Sequence, residues 1–187
     1  MKSPRDFIVR PVDGKRYDNT RRIGGIEMVV STSEEDHLFS NRYGEVVEVP
    51  IGYSGPISVG DLLLVHHNTF KFYTDMKGNQ RSGKSFLFDD LFLVDMDQFF
   101  MFHDGVKWTT HDRYCFVKPI PPLESKIFKP MSEEPLTGTM MYPNKYLSSK
   151  NVQKGDVVIF KPDSEYEFQV EGVKMYRMYD HQITMVL

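Results

Sequence analysis

The eight residues Gly78-Asn-Gln-Arg-Ser-Gly-Lys-Ser85 match the P-loop pattern G-x-x-x-x-G-K-[ST] at every position. In a phosphate site this turn follows a buried strand and opens a helix, whose first amide groups hold the phosphate oxygens. Leu91-Phe-Leu-Val-Asp95 adds an apolar strand and an aspartate, the arrangement that holds magnesium in such sites. Only ten residues separate Lys84 from Asp95, too few for a helix and a crossover strand. We therefore expect a glycine-rich hairpin tip, with nucleotide binding as the lesser alternative.

The histidines and the single cysteine offer less specific chemistry. His66 and His67 are neighbours on an expected strand, so we expect their side chains to face opposite ways and not to share a metal ion. Cys115 lies in a short apolar run and is expected to be a small core residue rather than a nucleophile. The sequence predicts no metal site, no cofactor and no catalytic residue, so the protein is not expected to be an enzyme.

Charged residues complete the polar candidates. Asp89-Asp90 and Asp95-x-Asp97 are interpreted as solvated strand ends rather than as paired catalytic carboxylates. Lys15, Arg16, Arg21 and Arg22 are interpreted as the solvated flank of a loop, the alternative being contact with an acidic partner surface.

Composition excludes several classes of protein. The chain has 187 residues, of which 40% are apolar, which is enough to bury a core. The net charge of −3 falls entirely in residues 1–102, and neither half has the basic excess of a nucleic-acid binder. One cysteine allows no disulfide framework. The first residues lack the apolar stretch of a signal peptide, and no apolar run approaches the roughly 18 residues of a membrane span. We expect a cytoplasmic protein without membrane or nucleic-acid partners.

Short runs of β-branched and aromatic residues indicate an all-β chain. Examples are Phe7-Ile-Val-Arg-Pro-Val12, Tyr43-Gly-Glu-Val-Val-Glu-Val-Pro50 and Val59-Gly-Asp-Leu-Leu-Leu-Val65. Turn signals recur at roughly the 8–12-residue interval typical of all-β folds, and no convincing helix is predicted. Phe70-Lys-Phe-Tyr73 and Phe86-Leu-Phe88 are expected to form the arms of a hairpin around Asp75 to Lys84.

The second half of the chain repeats the order of the first, which indicates two copies of one unit. The matching runs are Tyr114-Cys-Phe-Val-Lys-Pro119 for the Phe7 run, Leu136 to Pro143 for the Arg42 to Pro50 run, Val152 to Phe160 for the Ile57 to Val65 run, and Gln182 to Val186 for Gln98 to Phe102.

The spacing of matched residues shows where the copies differ. Pro11 and Gly44 are 33 positions apart, whereas Pro119 and Gly138 are 19 apart, so the first copy has 14 more residues there. From Gly60 to Gln98 the first copy is also 11 residues longer than the second, close to the Asp75–Lys84 segment. The second copy is a trimmed version of the first.

The longer of the two extra segments contains the best candidate site. Gly24-Gly25 precedes the apolar residues Ile26 and Met28, and charged sequence lies on both sides. Two adjacent glycines suit a mobile or sharply turning backbone. We expect a loop at about 17–36 that presents its apolar residues outward to a partner.

The order of these features resembles the chaperonin-10 family, the GroES co-chaperonins. The resemblance rests on the V-x-P first strand, the Gly24-Gly25-Ile26-Glu27-Met28 loop, Arg42-Tyr-Gly-Glu-Val-Val47, and the Val59-Gly-Asp61 turn into an apolar strand. In that family a mobile loop docks its apolar tripeptide into a groove of the GroEL-type chaperonin. Glu27 stands where a typical member has an apolar residue, and the second copy has Ile127-Phe-Lys-Pro-Met131 in place of the glycine pair.

The resemblance implies a fold, a site and a partner. The fold would be two tandem small GroES-like β-barrels, residues 1–104 and 105–187. The partner would be a GroEL-type chaperonin, which a homo-oligomeric ring of seven chains would cap. One alternative stays open: a structural or assembly protein, for example a viral one, that keeps the GroES-like barrel without a chaperonin. The partner-binding residues would be Gly24, Gly25, Ile26, Glu27, Met28 and Val29.

Overall fold

The computed structural model describes residues 1–17, 20–23, 26–29, 40–121 and 133–187, and at 20–23 and 26–29 it describes the backbone. The chain divides into two compact units, Met1–Lys107 and Trp108–Leu187; the boundary predicted from the sequence lies after residue 104. Strands predominate in both units, and their ladders are antiparallel. The prediction of an all-β chain is confirmed.

The described residues of the first unit form ten strands. Six of them follow one another in an antiparallel sheet in the order β10-β5-β4-β1-β9-β8. Their apolar residues pack into one core, since Phe7 and Val9 of β1 are fully buried against Phe92 and Val94 of β9. The strands are β1 (Phe7–Pro11), β2 (Thr20–Ile23), β3 (Ile26–Val29), β4 (Tyr43–Glu48), β5 (Leu62–Val65), β6 (Phe72–Thr74), β7 (Gln80–Ser82), β8 (Phe86–Phe88), β9 (Leu91–Val94) and β10 (Phe99–His103).

Two hairpins of the first unit stand apart from this sheet. Strands β2 and β3 pair with each other in a two-stranded sheet, and so do β6 and β7. The β2–β3 hairpin falls in the 14-residue extra segment, and the β6–β7 hairpin falls in the 11-residue one. The hairpin arms predicted from the sequence are wrong, because β8 pairs with β9 instead of with the Phe70 run.

Where it is described, at 108–121 and 133–187, the second unit has seven strands and one short α-helix. Six of its strands form an antiparallel sheet in the order β15-β16-β12-β13-β14-β17. The elements are β11 (Trp108–Thr110), β12 (Tyr114–Pro119), β13 (Thr137–Tyr142), α1 (Lys145–Ser149), β14 (Val157–Phe160), β15 (Tyr166–Val170), β16 (Val173–Tyr179) and β17 (Ile183–Val186).

The two sheets have the same topology, strand for strand. In each unit the first sheet strand pairs with the second and the fifth, and the third pairs with the second and the sixth. The registers also agree. Val9 lies opposite Val46 and Pro11 opposite Gly44, while the matching Val117 lies opposite Met140 and Pro119 opposite Gly138. A bulge precedes the valine in both ladders, before Val9 and before Val117.

The Gly-Asp turn before the third sheet strand is built identically in both units. Asp61 Oδ2 accepts a hydrogen bond from the amide of Ser58 at 2.8 Å, and Asp156 Oδ2 accepts one from the amide of Gln153 at 2.8 Å. The glycines have φ of +93° at Gly60 and +102° at Gly155, a conformation that residues with a Cβ rarely adopt. The dipeptide Gly-Asp therefore specifies the same turn in both units.

The cores match as well, with compensating changes in side-chain size. Phe7 in the first core corresponds to the smaller Cys115 in the second, while Val46 and Val94 correspond to the larger Met140 and Met178. The exchanges run in both directions, so that the loss of side-chain volume is partly offset, as close packing favours.

Two predictions about the architecture need correction. In the described parts of each unit no ladder joins the two outermost strands, so each sheet is open and not a closed barrel. Strand β8, at one edge, has only three residues and a register shift. A helix is also present where none was predicted: the Asn144 side chain accepts a hydrogen bond from the amide of Leu147 at 2.9 Å and begins α1.

Candidate functional site

The candidate site lies in the connection from β1 to β4. Four of the six residues predicted to bind a partner form strand β3, and Gly24 and Gly25 lie outside the described residues. Thr20 pairs with Val29, and Ile23 pairs with Ile26. The four residues of β3 are Ile26, Glu27, Met28 and Val29.

The pairing of β2 with β3 fixes which positions of the strand belong together. Successive residues of a strand alternate between its two faces. Positions 26 and 28 therefore share one face, and position 27 belongs to the other. The polar residue in the predicted tripeptide, Glu27, is thus separated by strand geometry from the two apolar positions on which the site depends.

We call residues 18–39 the docking segment and Arg16, Tyr17, Ser40 and Asn41 its root. Tyr17 and Ser40 form an antiparallel bridge where the chain enters and leaves the segment. The side-chain amide of Asn41 donates to the carbonyl oxygens of Val12 at 3.0 Å and Lys15 at 2.7 Å. The two ends of the docking segment are therefore held together beside β1 and β4.

Arg16 is the residue of the root with the most contacts to the β6–β7 side of the unit. Its guanidinium carbon lies 4.1 Å from the ring centre of Phe72, 5.0 Å from that of Phe86 and 4.8 Å from that of Phe92. Its Nη1 donates to Ser82 Oγ at 2.9 Å. Burial lowers the pKa of the Arg16 guanidinium from its ordinary value. The interpretation of Arg16 as part of a solvated flank is therefore wrong.

Tyr17 makes the second contact between the root and the β6–β7 hairpin. The amide of Phe72 donates to the Tyr17 hydroxyl at 2.8 Å, and the two rings stack with centres 6.2 Å apart. The first residue of β6 therefore donates its amide hydrogen bond to a side chain of the root. The β6–β7 hairpin is thus in direct contact with the root of the docking segment.

The tip of the β6–β7 hairpin is organised by one carboxylate. Asp75 Oδ1 accepts from the amides of Asn79 and Lys77, both at 2.9 Å. Its Oδ2 lies 3.3 Å from Arg81 Nε. The amide of Asn79, then that of Lys77, and the Arg81 side chain hold the pKa of Asp75 below its ordinary value, although partial desolvation opposes them. The tip is a closed turn with its own internal partners.

The residues that match the P-loop pattern, Gly78–Ser85, do not form a phosphate-binding loop. Gly78 lies at the tip of the hairpin, Gln80–Ser82 is strand β7, and a further strand, Phe86–Phe88, follows Lys84 and Ser85. No helix begins after the lysine in this described range, so the row of helix amides that cradles a phosphate is missing. Lys84 and Ser85 instead border an open cleft of about 910 Å³ between the hairpin and the turn that follows β5. Of the predicted glycine-rich hairpin tip, only the part around Gly78 lies at the tip, since Gln80–Ser82 forms one arm of the hairpin.

The two neighbouring histidines differ from their prediction. Strand β5 ends at Val65, and His66 begins a turn in which its carbonyl accepts from the amide of Thr69 at 3.0 Å. Outside a strand the alternation of faces no longer applies, and the rings of His66 and His67 lie with centres 4.1 Å apart. The expectation that they face opposite ways is wrong. Across the described residues, no three His, Cys, Asp or Glu side chains gather as metal ligands would.

The remaining candidates are structural. Cys115 is fully buried, and desolvation raises the pKa of its thiol to about 12, which confirms it as a core residue. Asp90 pairs with Arg10 at 2.9 Å, and Asp89 lies in the turn between β8 and β9 with φ of +51°. Asp95 Oδ1 accepts from the amide of Asp97 at 2.7 Å, as in a turn rather than a carboxylate pair.

Sequence reasoning did not predict the long-range contacts of Arg16, Tyr17 and Asn41. Arg16 and Ser82 are 66 positions apart, and Tyr17 and Phe72 are 55 apart. No local pattern reports a contact of that separation. The one available signal is that both extra segments belong to the same copy of the repeat.

Neither a known protein family nor a curated protein matches this sequence. None of the helices within the described ranges has the length and apolar character that crossing a membrane would need.

Proposed function

We propose that this protein is a co-chaperonin, built from two tandem GroES-like domains, that caps a GroEL-type chaperonin ring and assists protein folding. It performs no chemistry itself, and ATP hydrolysis belongs to the partner. The observation that carries the proposal is the β2–β3 hairpin. It bears Ile26 and Met28, pairs with no other described strand, and is joined to the sheet through its root.

The repeated topology supports the tandem part of the proposal. Two units with equal strand order, equal registers and equal Gly-Asp turns are what duplication of one domain produces. The second unit has 14 fewer residues at the matching connection. Each chain therefore carries one docking segment, and a ring of seven chains would present seven.

The energetics favour binding by a ring over binding by a single chain. Burying Ile26 and Met28 in an apolar groove contributes about 1.5–3 kcal/mol each. Ordering a loop costs on the order of 1–2 kcal/mol per residue, which offsets most of that gain. Several segments presented together gain an avidity of roughly 10²–10⁴. The proposal therefore requires a homo-oligomer.

The first prediction concerns the two apolar residues of β3. In a pull-down with a GroEL-type chaperonin and ATP, Ile26→Ser/Met28→Ser should reduce retention of the protein at least about tenfold, since each burial is worth more than about 1.4 kcal/mol. Ile51→Ser/Val59→Ser is the matched control. Ile51 and Val59 are also exposed apolar residues of the first unit, with 62% and 60% of their surface accessible. The control should be retained like the wild type.

The outcome also decides between the two candidate functions. Equal retention of both double variants would contradict the docking role of β3. A wild-type protein that assembles into an oligomer but is not retained by the chaperonin would favour the structural or assembly protein. Glu27, a charged residue in the predicted tripeptide, is the observation on the side of that second candidate.

A further inference from the structure

We infer that the β6–β7 hairpin holds the root of the docking segment in place, with Arg16 as the positioning residue, and thereby limits the opening of the β2–β3 ladder. The inference rests on the proposed function only for its effect on chaperonin affinity. Its structural part concerns the free protein.

The contact joins the root of the docking segment to the β6–β7 hairpin. Among the described strands, neither the β2–β3 hairpin nor the β6–β7 hairpin belongs to the six-stranded sheet. Arg16 and Tyr17 contact Phe72 and Ser82, which lie on β6 and β7. The β6–β7 hairpin thus has a structural partner at the root, and the second unit is shorter than the first at both matching places.

The chemistry of the contact is specific to arginine. A planar guanidinium can lie over a ring and still donate a hydrogen bond in its own plane, which a lysine ammonium cannot do. In the structure it lies 4.1 Å from the Phe72 ring centre and donates to Ser82 Oγ at 2.9 Å. Arg16→Lys keeps the charge but loses this geometry.

The β2–β3 hairpin depends on the root, since among the described strands β2 and β3 pair only with each other. An isolated two-stranded hairpin is marginally stable in water at best. The Tyr17–Ser40 bridge closes 22 intervening residues into one loop, and a looser root enlarges the set of conformations that docking must order. Loss of the Arg16 contact should therefore raise the ordering cost paid on binding.

Amide hydrogen exchange of the free protein tests the structural part. In Arg16→Lys, the amides of Thr20–Ile23 and Ile26–Val29 should exchange about tenfold faster than in the wild type, while those of β1 and β5 should be unchanged. Arg10→Ala is the control, because it removes another arginine of the same unit that pairs with Asp90 at 2.9 Å, away from the root. Equal exchange in Arg16→Lys and Arg10→Ala would overturn the inference.

A double-mutant cycle with Phe72→Leu separates direct contact from general loosening. If Arg16 acts through Phe72, the double variant should accelerate exchange hardly more than either single variant, instead of by the product of the two effects. If the double variant accelerates exchange by the product of the two single effects, the assignment of Arg16 as acting through Phe72 is overturned. Should Arg16→Lys lower the stability of the whole unit, Tyr17→Phe serves in its place, because it removes only the hydroxyl that accepts from Phe72.

Chaperonin affinity tests the consequence. Arg16→Lys should bind a GroEL-type ring several-fold more weakly than Arg10→Ala. Faster exchange without weaker binding would overturn the effect on affinity and leave the structural contact intact. If no variant binds, including the wild type, the proposed function fails, whereas the exchange data still decide the role of Arg16.

Discussion

Gly138 is a position of the second sheet that has no room for a Cβ. A Cβ added there would lie 2.3 Å from Val117 Cγ1 and 2.8 Å from the carbonyl oxygen of Lys118. At the matching Gly44 the nearest atom would be Cζ of Phe70, at 3.2 Å. Both positions require glycine for space, and the requirement is stricter in the second unit because backbone is in the way.

This difference leads to a stability prediction. Gly138→Ala should lower the free energy of unfolding by about 2–3 kcal/mol, because the neighbouring strand must move. Gly44→Ala should lower it by roughly 1 kcal/mol, because only the end of the Phe70 ring has to shift. Gly83→Ala is the control, since its nearest atom would be the Lys71 carbonyl oxygen at 3.5 Å. Urea unfolding measures the free energy of unfolding of the three variants. A smaller loss for Gly138→Ala than for Gly44→Ala would contradict the prediction.

Single residues were predictable where their neighbours in sequence decide their surroundings. Cys115 lies within an apolar run, so its burial follows from the run itself. His66 was predicted wrongly because the end of a strand is set by a turn that the apolar pattern does not report. The surroundings of Arg16 come from rings that lie far along the chain, and no local pattern contains them.

At the scale of elements, the docking segment is separable from the sheet that bears it. Its two ends already meet in the Tyr17–Ser40 bridge. The second unit forms a sheet of the same topology with a shorter connection at the same place. The segment is therefore not required for the sheet to form.

Excision of the segment tests this. Replacing residues 18–39 with Asn-Gly, a pair suited to a two-residue hairpin turn, should leave the β-sheet circular dichroism spectrum and the cooperative unfolding intact. Binding to the chaperonin should be lost. A variant of the same composition with residues 18–39 kept but scrambled controls for segment length. Loss of the sheet signal after excision would contradict separability.

Turns that need a particular residue were the elements best specified by the sequence. The Gly-Asp turns and the V-x-P strands predicted matching units, and the registers of the two units agree at both. The arms of the β6–β7 hairpin were missed because aromatic runs suit several strand partners equally. The short helix after Asn144 was missed because one capping residue is a weak signal in five residues.

At the scale of the molecule, the function proposed here depends on assembly. One docking segment per chain binds weakly by itself, since its ordering cost offsets most of the burial of Ile26 and Met28. Sequence features alone predicted the two-copy organisation, because repeated turns and spacings are visible without structure. They do not predict the number of chains in an assembly, because that depends on surfaces brought together from distant positions.

The last prediction concerns that assembly. Native mass spectrometry of the full chain at micromolar concentration should show one closed oligomer of identical subunits, seven in the family's arrangement, because avidity needs several segments on one body. Ile26→Ser/Met28→Ser should have the same mass distribution, since it alters docking and not assembly. A monomer across the concentration range would remove the basis for tight capping.

The closed root also limits distance. Met28 follows Tyr17 by eleven residues, and a fully extended chain advances about 3.3–3.6 Å per residue. Whatever path the segment takes, the backbone of Met28 stays within roughly 40 Å of the Tyr17–Ser40 bridge. The bridge is thus the centre of a sphere of fixed radius, and a receiving groove must lie inside it. A partner with its groove farther away is excluded by chain length alone, before any question of affinity arises.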